Sequence, residues 1–238
     1  DVYKRQGMNQ ATELIVSVHV PKTGGETFRD ILEALTEGHL QRDYADRPLA
    51  PMSLRQRIRL ATARPHLDPD TRAVHGHFIA TKYWRRYPDA RYMAWFREPV
   101  ERLASHYHYW KRKPDRKNPT CQKLMQEDLS LEAFAALPEM RDVHARFLGE
   151  VPAASLAFVG ITERYDDSID LFRRAFYPAL PVATERVNVN PERDGDRYDL
   201  DPATREAIEQ LNSADMDVYR AAVARFEQLL SEQAEPAV

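Results

Sequence analysis

Cysteine is nearly absent from this sequence: Cys121 is the single one among 238 residues. That excludes an intrachain disulfide and a thiolate metal cluster. No apolar run approaches the roughly 20 residues of a membrane-spanning helix, and no signal peptide is visible. Positive charge is not in excess either. Lys and Arg number 34 against 37 Asp and Glu, a net charge of −3, so no global field draws nucleic acid and any anion site must come from local basic residues. A Walker A string, Gly-x-x-x-x-Gly-Lys-Ser/Thr, is also missing, which weakens a nucleoside triphosphate reading. These absences lead us to expect a cytoplasmic protein without a membrane span or a nucleic-acid partner.

What remains is ordinary globular material, 43% hydrophobic and 30% charged, in a chain long enough to bury a substantial core. We expect one domain over residues 8–233. Residues 1–7 show no structural pattern and read as a non-native leader, with Met8 as the natural start.

The most informative stretch is Val20-Pro21-Lys22-Thr23-Gly24-Gly25-Glu26-Thr27-Phe28, which follows the apolar run Leu14 to Val20. Leu14, Ile15, Val16, Val18 and Val20 predict a buried strand. Phe28, Ile31, Leu32 and Leu35 fall on one helical face, and Thr23 with Glu26 fits a capping box for that helix. Strand, glycine loop and helix start collect backbone N–H groups, a helix N-terminus and the Lys22 cation at one point. An anionic phosphate-type ligand needs that combination. The loop is short and suits one tetrahedral anion group. The plainer alternative is a helix start with an exposed lysine.

Further strands are expected over Arg72 to Phe78, Arg91 to Phe96 and Leu156 to Ile161. Residues 38–70 read as polar and proline-punctuated, with a short helix around Ser53 to Ala63. Pro99 suits the first turn of a helix whose apolar face is Val100, Leu103, Ala104, Tyr107 and Trp110. Short helices are expected over 120–150, a helix through Ile169 to Phe176, loop over 178–202, and one long helix from about 203 to 232. Strands alternating with helices predict an α/β, P-loop-like three-layer fold, a central parallel sheet flanked by helices. Ligands in such sheets sit at the carboxyl ends of the strands, where Lys22 lies.

A second cluster is Phe96-Arg97-Glu98-Pro99-Val100-Glu101-Arg102-Leu103-Ala104-Ser105. Arg97 closes a strand and Ser105 stands two turns into the next helix. A guanidinium fork and a hydroxyl suit a phosphate; the alternative is an ordinary surface arginine and serine. Taken with the Pro-Lys-Thr-Gly-Gly loop, this Arg-x-Pro-x-x-Arg-x-x-Ser string resembles the family 2 sulfotransferases, which include heparan sulfate 2-O-sulfotransferase-like and bacterial members. The resemblance implies 3′-phosphoadenosine 5′-phosphosulfate (PAPS) as co-substrate. It assigns Pro21, Lys22, Thr23, Gly24, Gly25 and Thr27 to the 5′-phosphosulfate, and Arg97 and Ser105 to the 3′-phosphate. Weaker echoes are Val159-Gly160-Ile161-Thr162-Glu163, Asn188-Val189-Asn190 and Asp217-Val218-Tyr219. Glu26 departs from the family, which more often has a small hydroxyl residue there.

The third cluster is Val74-His75-Gly76-His77-Phe78. On a strand the two histidines share a face. Metal binding lacks a clear third ligand, and no metal is expected. The open readings are satisfied structural histidines or a general base for an acceptor hydroxyl. The 2-O-sulfotransferase branch resembles the chain here too, with its base in a His-Gly-His string; His77 is the favoured base and His75 its support, with the reverse order open. His106 and His108 read as acceptor-side or structural, and the basic run Lys111 to Lys117 as a solvated helix end or a steering patch. Lys22 would neutralise the leaving group. The expected function is sulfuryl transfer to a hydroxyl, on a glycan or small metabolite. The alternatives are a P-loop-type nucleotide kinase and a non-catalytic anion- or glycan-binding relative.

Overall fold

The apolar run ahead of the glycines is the hub of the sheet. In the computed structural model, which describes residues 14–46, 48–50, 52–178 and 197–234, β1 (Ile15–Val18) is fully buried and pairs in parallel on both sides. Its neighbours are β3 (Ala73–Gly76) and β4 (Arg91–Phe96), with Ser17 opposite His75 and Met93. Beyond them lie β2 (Leu40–Asp43) and β5 (Phe158–Ile161), giving the order β2-β3-β1-β4-β5, all parallel. The chain leaves β1 toward one edge and later crosses it to build the other. The glycine loop at the carboxyl end of β1 therefore opens into the crevice of a topological switch point.

Helices cover both faces. On one side α1 (Gly25–Leu35) and α8 (Tyr165–Phe176) contribute Phe28 and Phe172, whose rings lie 4.9 Å apart and against Phe158 of β5. Gly160 leaves room there for Trp95, since a Cβ on it would fall 2.3 Å from the indole. On the other side Trp84 of α3 (Thr81–Trp84) meets Tyr92 at 4.9 Å, and His144 of α7 (Val143–Leu148) meets Phe96 at 5.5 Å. Two layers of helix around a parallel sheet match the expected architecture.

A second apolar cluster is helical. It joins Val100, Leu103 and Trp110 of α4 (Pro99–Arg112) to Cys121 and Leu124 of α5 (Pro119–Gln126), Phe134 of α6 (Leu131–Ala135) and Ile208 of α9 (Pro202–Leu211). The remaining helices are α2 (Leu54–Ala61) and the terminal α10 (Ser213–Ala234), which packs along β5 and α7.

Three expectations are corrected. Residues 38–70 contain a strand, β2, in a stretch read as loop. Its Leu-Gln-Arg-Asp sequence carries little apolar signal because it is an edge strand with β3 as its single partner. The long closing helix is two helices: Asn212 breaks it, donating from its amide nitrogen to the Ile208 carbonyl and accepting from the Asp142 N–H, both at about 3 Å. Thr23 is not the cap of α1. Gly24 occupies the N-cap in a left-handed conformation, and the Thr23 hydroxyl donates back to the Val20 carbonyl at 2.8 Å. Residues 1–7 and Asn188 to Asn190 lie outside the described residues.

Candidate functional site

The glycine loop begins as β1 ends. His19 still pairs its N–H to the Gly76 carbonyl at 2.9 Å, after which the chain turns out of the sheet. Lys22 then adopts φ 70° and Gly24 φ 93°. Glycine accepts that region freely, whereas a lysine held there is strained. Gly24 is exposed, Thr23 and Thr27 are buried, and Pro21 and Lys22 are half-buried. The loop thus presents its backbone outward at the start of an 11-residue helix, where unsatisfied N–H groups and the helix dipole favour an anion.

The turn before Arg97 and the helix that carries Ser105 both reach the glycine loop. The hydroxyl of Thr162, just past β5, sits 2.9 Å from the carbonyl oxygens of both Thr23 and Phe96. One side chain therefore ties the glycine loop to the residue preceding Arg97. On the other side the Lys22 ammonium lies 3.6 Å from the centre of the Tyr109 ring. Tyr109 is four residues after Ser105 on α4, hence on the same helical stripe. The loop, the arginine turn and the serine stripe are contiguous.

The arginine turn is held from several directions. Glu98 caps α4 by accepting from the Glu101 N–H, and its own N–H donates to Glu163 at 3.0 Å. The Tyr219 hydroxyl donates to the other Glu163 oxygen at 3.1 Å. Glu101, buried, accepts from Arg205 at 2.8 Å and from the Tyr198 N–H at 2.9 Å. The Arg97 N–H points at His144 Nε2, 3.5 Å away, and His144 Nδ1 is 3.1 Å from Asp215. Burial opposes the Asp215 charge, but His144, Arg102 and the Ala145 N–H hold its carboxyl below the usual range. Thr162, Glu163 and Tyr219 are thus parts of the support beneath the glycine loop and the arginine turn.

His75 and His77 meet a third imidazole, His19, which sequence reading missed. The His19 ring lies 5.0 Å from His75, nearly parallel to it, and 4.6 Å from His77. Tyr44 follows β2 and closes the group, its ring 4.8 Å from His77 and its hydroxyl hydrogen-bonded to His19 Nδ1 at 3.2 Å. Lys82 holds the Tyr44 loop by bridging Asp43 and Asp46 at 2.6 and 3.0 Å, and Tyr83 donates to Asp43 at 2.8 Å. A histidine closing an apolar strand just before the Pro-Lys turn was the available signal for His19. Tyr44 had none.

The imidazoles differ in their ties. His75 is buried and its Nδ1 is 2.9 Å from the Ser17 hydroxyl across the β1–β3 pair. The Nε2 atoms of His75 and His77 are both buried without a hydrogen-bond partner among the described residues. Burial keeps all three rings neutral: it lowers His77 to about 4 and His75 to about 3, and it lowers His19 as well. No grouping of three His, Cys, Asp or Glu with metal-binding geometry occurs among the described residues.

Of the remaining candidates His106 adjoins this centre, its basicity lowered by burial and by Arg102, Lys22 and His77. His106 is buried against Trp110 at 4.2 Å. Lys111 pairs with Asp128. Cys121 is buried, and burial raises its thiol.

No family model and no curated protein matches the sequence. Among solved structures, the chain is similar to a sulfotransferase from Alicyclobacillus acidocaldarius, with 17% identity over 93% of this chain and 98% of that one, at a TM-score of 0.43. It is also similar to mouse sulfotransferase SULT7A1 complexed with PAP, with 12% identity over 92% of this chain and 89% of that one, at a TM-score of 0.46.

Proposed function

We propose that this chain moves a sulfuryl group from PAPS to an acceptor hydroxyl. The observation that carries the reading is the bridge made by Thr162, which fastens the glycine loop to the arginine turn through the Thr23 and Phe96 carbonyls. Two separate phosphate-binding strings beside a group of neutral imidazoles suit a donor with two phosphate positions and an acceptor that must lose a proton.

The transfer breaks the bond between sulfur and the 5′-phosphate oxygen, forms one between sulfur and the acceptor oxygen, and leaves adenosine 3′,5′-bisphosphate (PAP). The backbone of Gly24 and Gly25, with Thr23 and Thr27, would hold the 5′ group, and Pro21 fixes the entry to the turn. Lys22 would offset charge growing on the oxygen that leaves. Arg97 and Ser105 would hold the 3′-phosphate. His77 fits the general base better than His75: both rings are neutral with an unpartnered Nε2, but His77 is only half-buried whereas His75 is fully buried. His75, tied to Ser17, orients the neighbouring rings. A positioned base contributes typically about 100- to 10,000-fold.

The acceptor class we favour is a carbohydrate hydroxyl, with a small metabolite as the other option. The test is incubation with sulfur-labelled PAPS and a panel of sugar and small-molecule hydroxyls, following both PAP and the labelled product. Acceptor-dependent PAP release supports the proposal. Turnover of ATP with Mg²⁺ in its place would identify a kinase, and PAP binding without any turnover would identify a binding protein.

A further inference from the structure

Helix α2 packs on the molecule at α3 and otherwise faces outward. Its residues Leu54 to Arg59 are all exposed, and Leu60 turns partly inward. Leu54 and Ile58 are 72% and 56% exposed, the two most exposed large apolar side chains among the described residues. They stand one turn apart on one face. By the helical repeat, Arg57 flanks that face on one side, and Arg55 with Arg59 flanks it on the other.

The charge around it is one-sided. Residues 47–67 contain Arg47, Arg55, Arg57, Arg59 and Arg64 and not one Asp or Glu, in a chain where acids outnumber bases. Arg55, Arg57, Arg59 and Arg64 form no ion pair with any described residue. An eight-residue helix is marginal alone. This one also places Arg55 and Arg59 at a mutually repelling spacing of four and leaves two aliphatic side chains in water. The Ser53–Gln56 capping box fixes one end, which leaves both costs in place.

We propose that α2 is a docking face for an anionic lipid surface. A bilayer interface relieves both costs together: Leu54 and Ile58 enter the acyl boundary while the flanking arginines meet lipid phosphates. An acidic polysaccharide would satisfy the arginines and leave the aliphatic pair exposed. An apolar protein groove would do the reverse. The inference uses no residue of the proposed sulfuryl-transfer site and stands or falls independently of it.

The test is co-sedimentation of the full chain with phosphatidylcholine vesicles containing about one-third phosphatidylglycerol, against pure phosphatidylcholine. Binding to the anionic vesicles alone, weakening as salt is raised, is expected. Leu54→Ser with Ile58→Ser should reduce it about tenfold or more. Changing Arg55, Arg57 and Arg59 to Gln should reduce it roughly a hundredfold. Thermal melting of both variants checks that the fold survives, which is expected because these side chains are exposed. Equal binding to neutral vesicles, no vesicle binding, or indifference to the loss of Leu54 and Ile58 each overturns the proposal. Retention by heparin without vesicle binding overturns it in favour of an acidic glycan.

Discussion

His19 lies over Gly25 so closely that a Cβ on the glycine would fall 2.2 Å from the ring and 2.5 Å from its Nε2. The glycine is required here for space, because its φ is not in the left-handed region. The contact links two halves of the site, since the same ring stacks on His75 and bonds Tyr44. Gly25→Ala should therefore destabilise the fold by about 1–3 kcal/mol, the usual cost of overpacking, and move the imidazole group. The paired change Gly25→Ala with His19→Ala should recover much of that loss. Thermal melts of the three variants check this: additive losses would show that the two residues do not share the space.

Lys22 holds a left-handed backbone, φ 70°, that an L-residue adopts at a cost of about 1 kcal/mol or more. Strain kept at a binding loop is a reason to look for function. Lys22→Gly should leave the protein as stable as the parent or slightly more so, and should collapse turnover. PAP binding should fall far less than turnover, because the loop backbone survives. A variant with parental turnover would remove the ammonium from the chemistry.

Arg97→Ala should weaken nucleotide binding roughly 10- to 100-fold, the worth of one or two charge-assisted hydrogen bonds. The loss should be larger for PAPS than for the analogue without the 3′-phosphate. Calorimetry with both ligands decides it, and equal losses would mean Arg97 does not read that group. Thr162→Val should weaken both ligands together, since it unfastens the loop and the arginine turn at once.

Much of this arrangement was legible because it is local. Ile15 to Val18, Phe158 to Ile161 and the strand ending in Phe96 are buried in a parallel sheet, so their apolar runs are dense. The glycine loop and the arginine turn follow directly from strand ends. What was hidden depends on distant partners. β2 is an edge strand with a polar sequence. The break at Asn212 rests on Asp142, 70 residues away. Thr162 and Glu163 gain their roles only through Thr23 and Glu98. Tyr44 reaches His77 because Lys82 and Asp46 hold its loop. The capping box matched by spacing, yet Gly24 in the left-handed region set the helix start instead.

The imidazole group also sets how stability responds to acid. Burial lowers His77 to about 4 and His75 to about 3, while an unfolded histidine titrates near 6.5. Above about pH 6.5 neither state carries the extra protons, and the fold keeps its full stability. As pH falls below that value the unfolded chain takes up protons that the folded chain refuses, so stability declines. The decline approaches about 1.4 kcal/mol per pH unit for each such histidine. For His77 it ends near pH 4, once the folded ring also protonates. His77→Asn should flatten the curve of melting temperature against pH between 6 and 4.5 by one proton's worth and leave the region above pH 7 parallel to the parent. Curves that stay parallel throughout would show that His77 already titrates normally in the fold. In that case its Nε2 is open to water, and the proposed base is a ring of ordinary basicity rather than one depressed by burial.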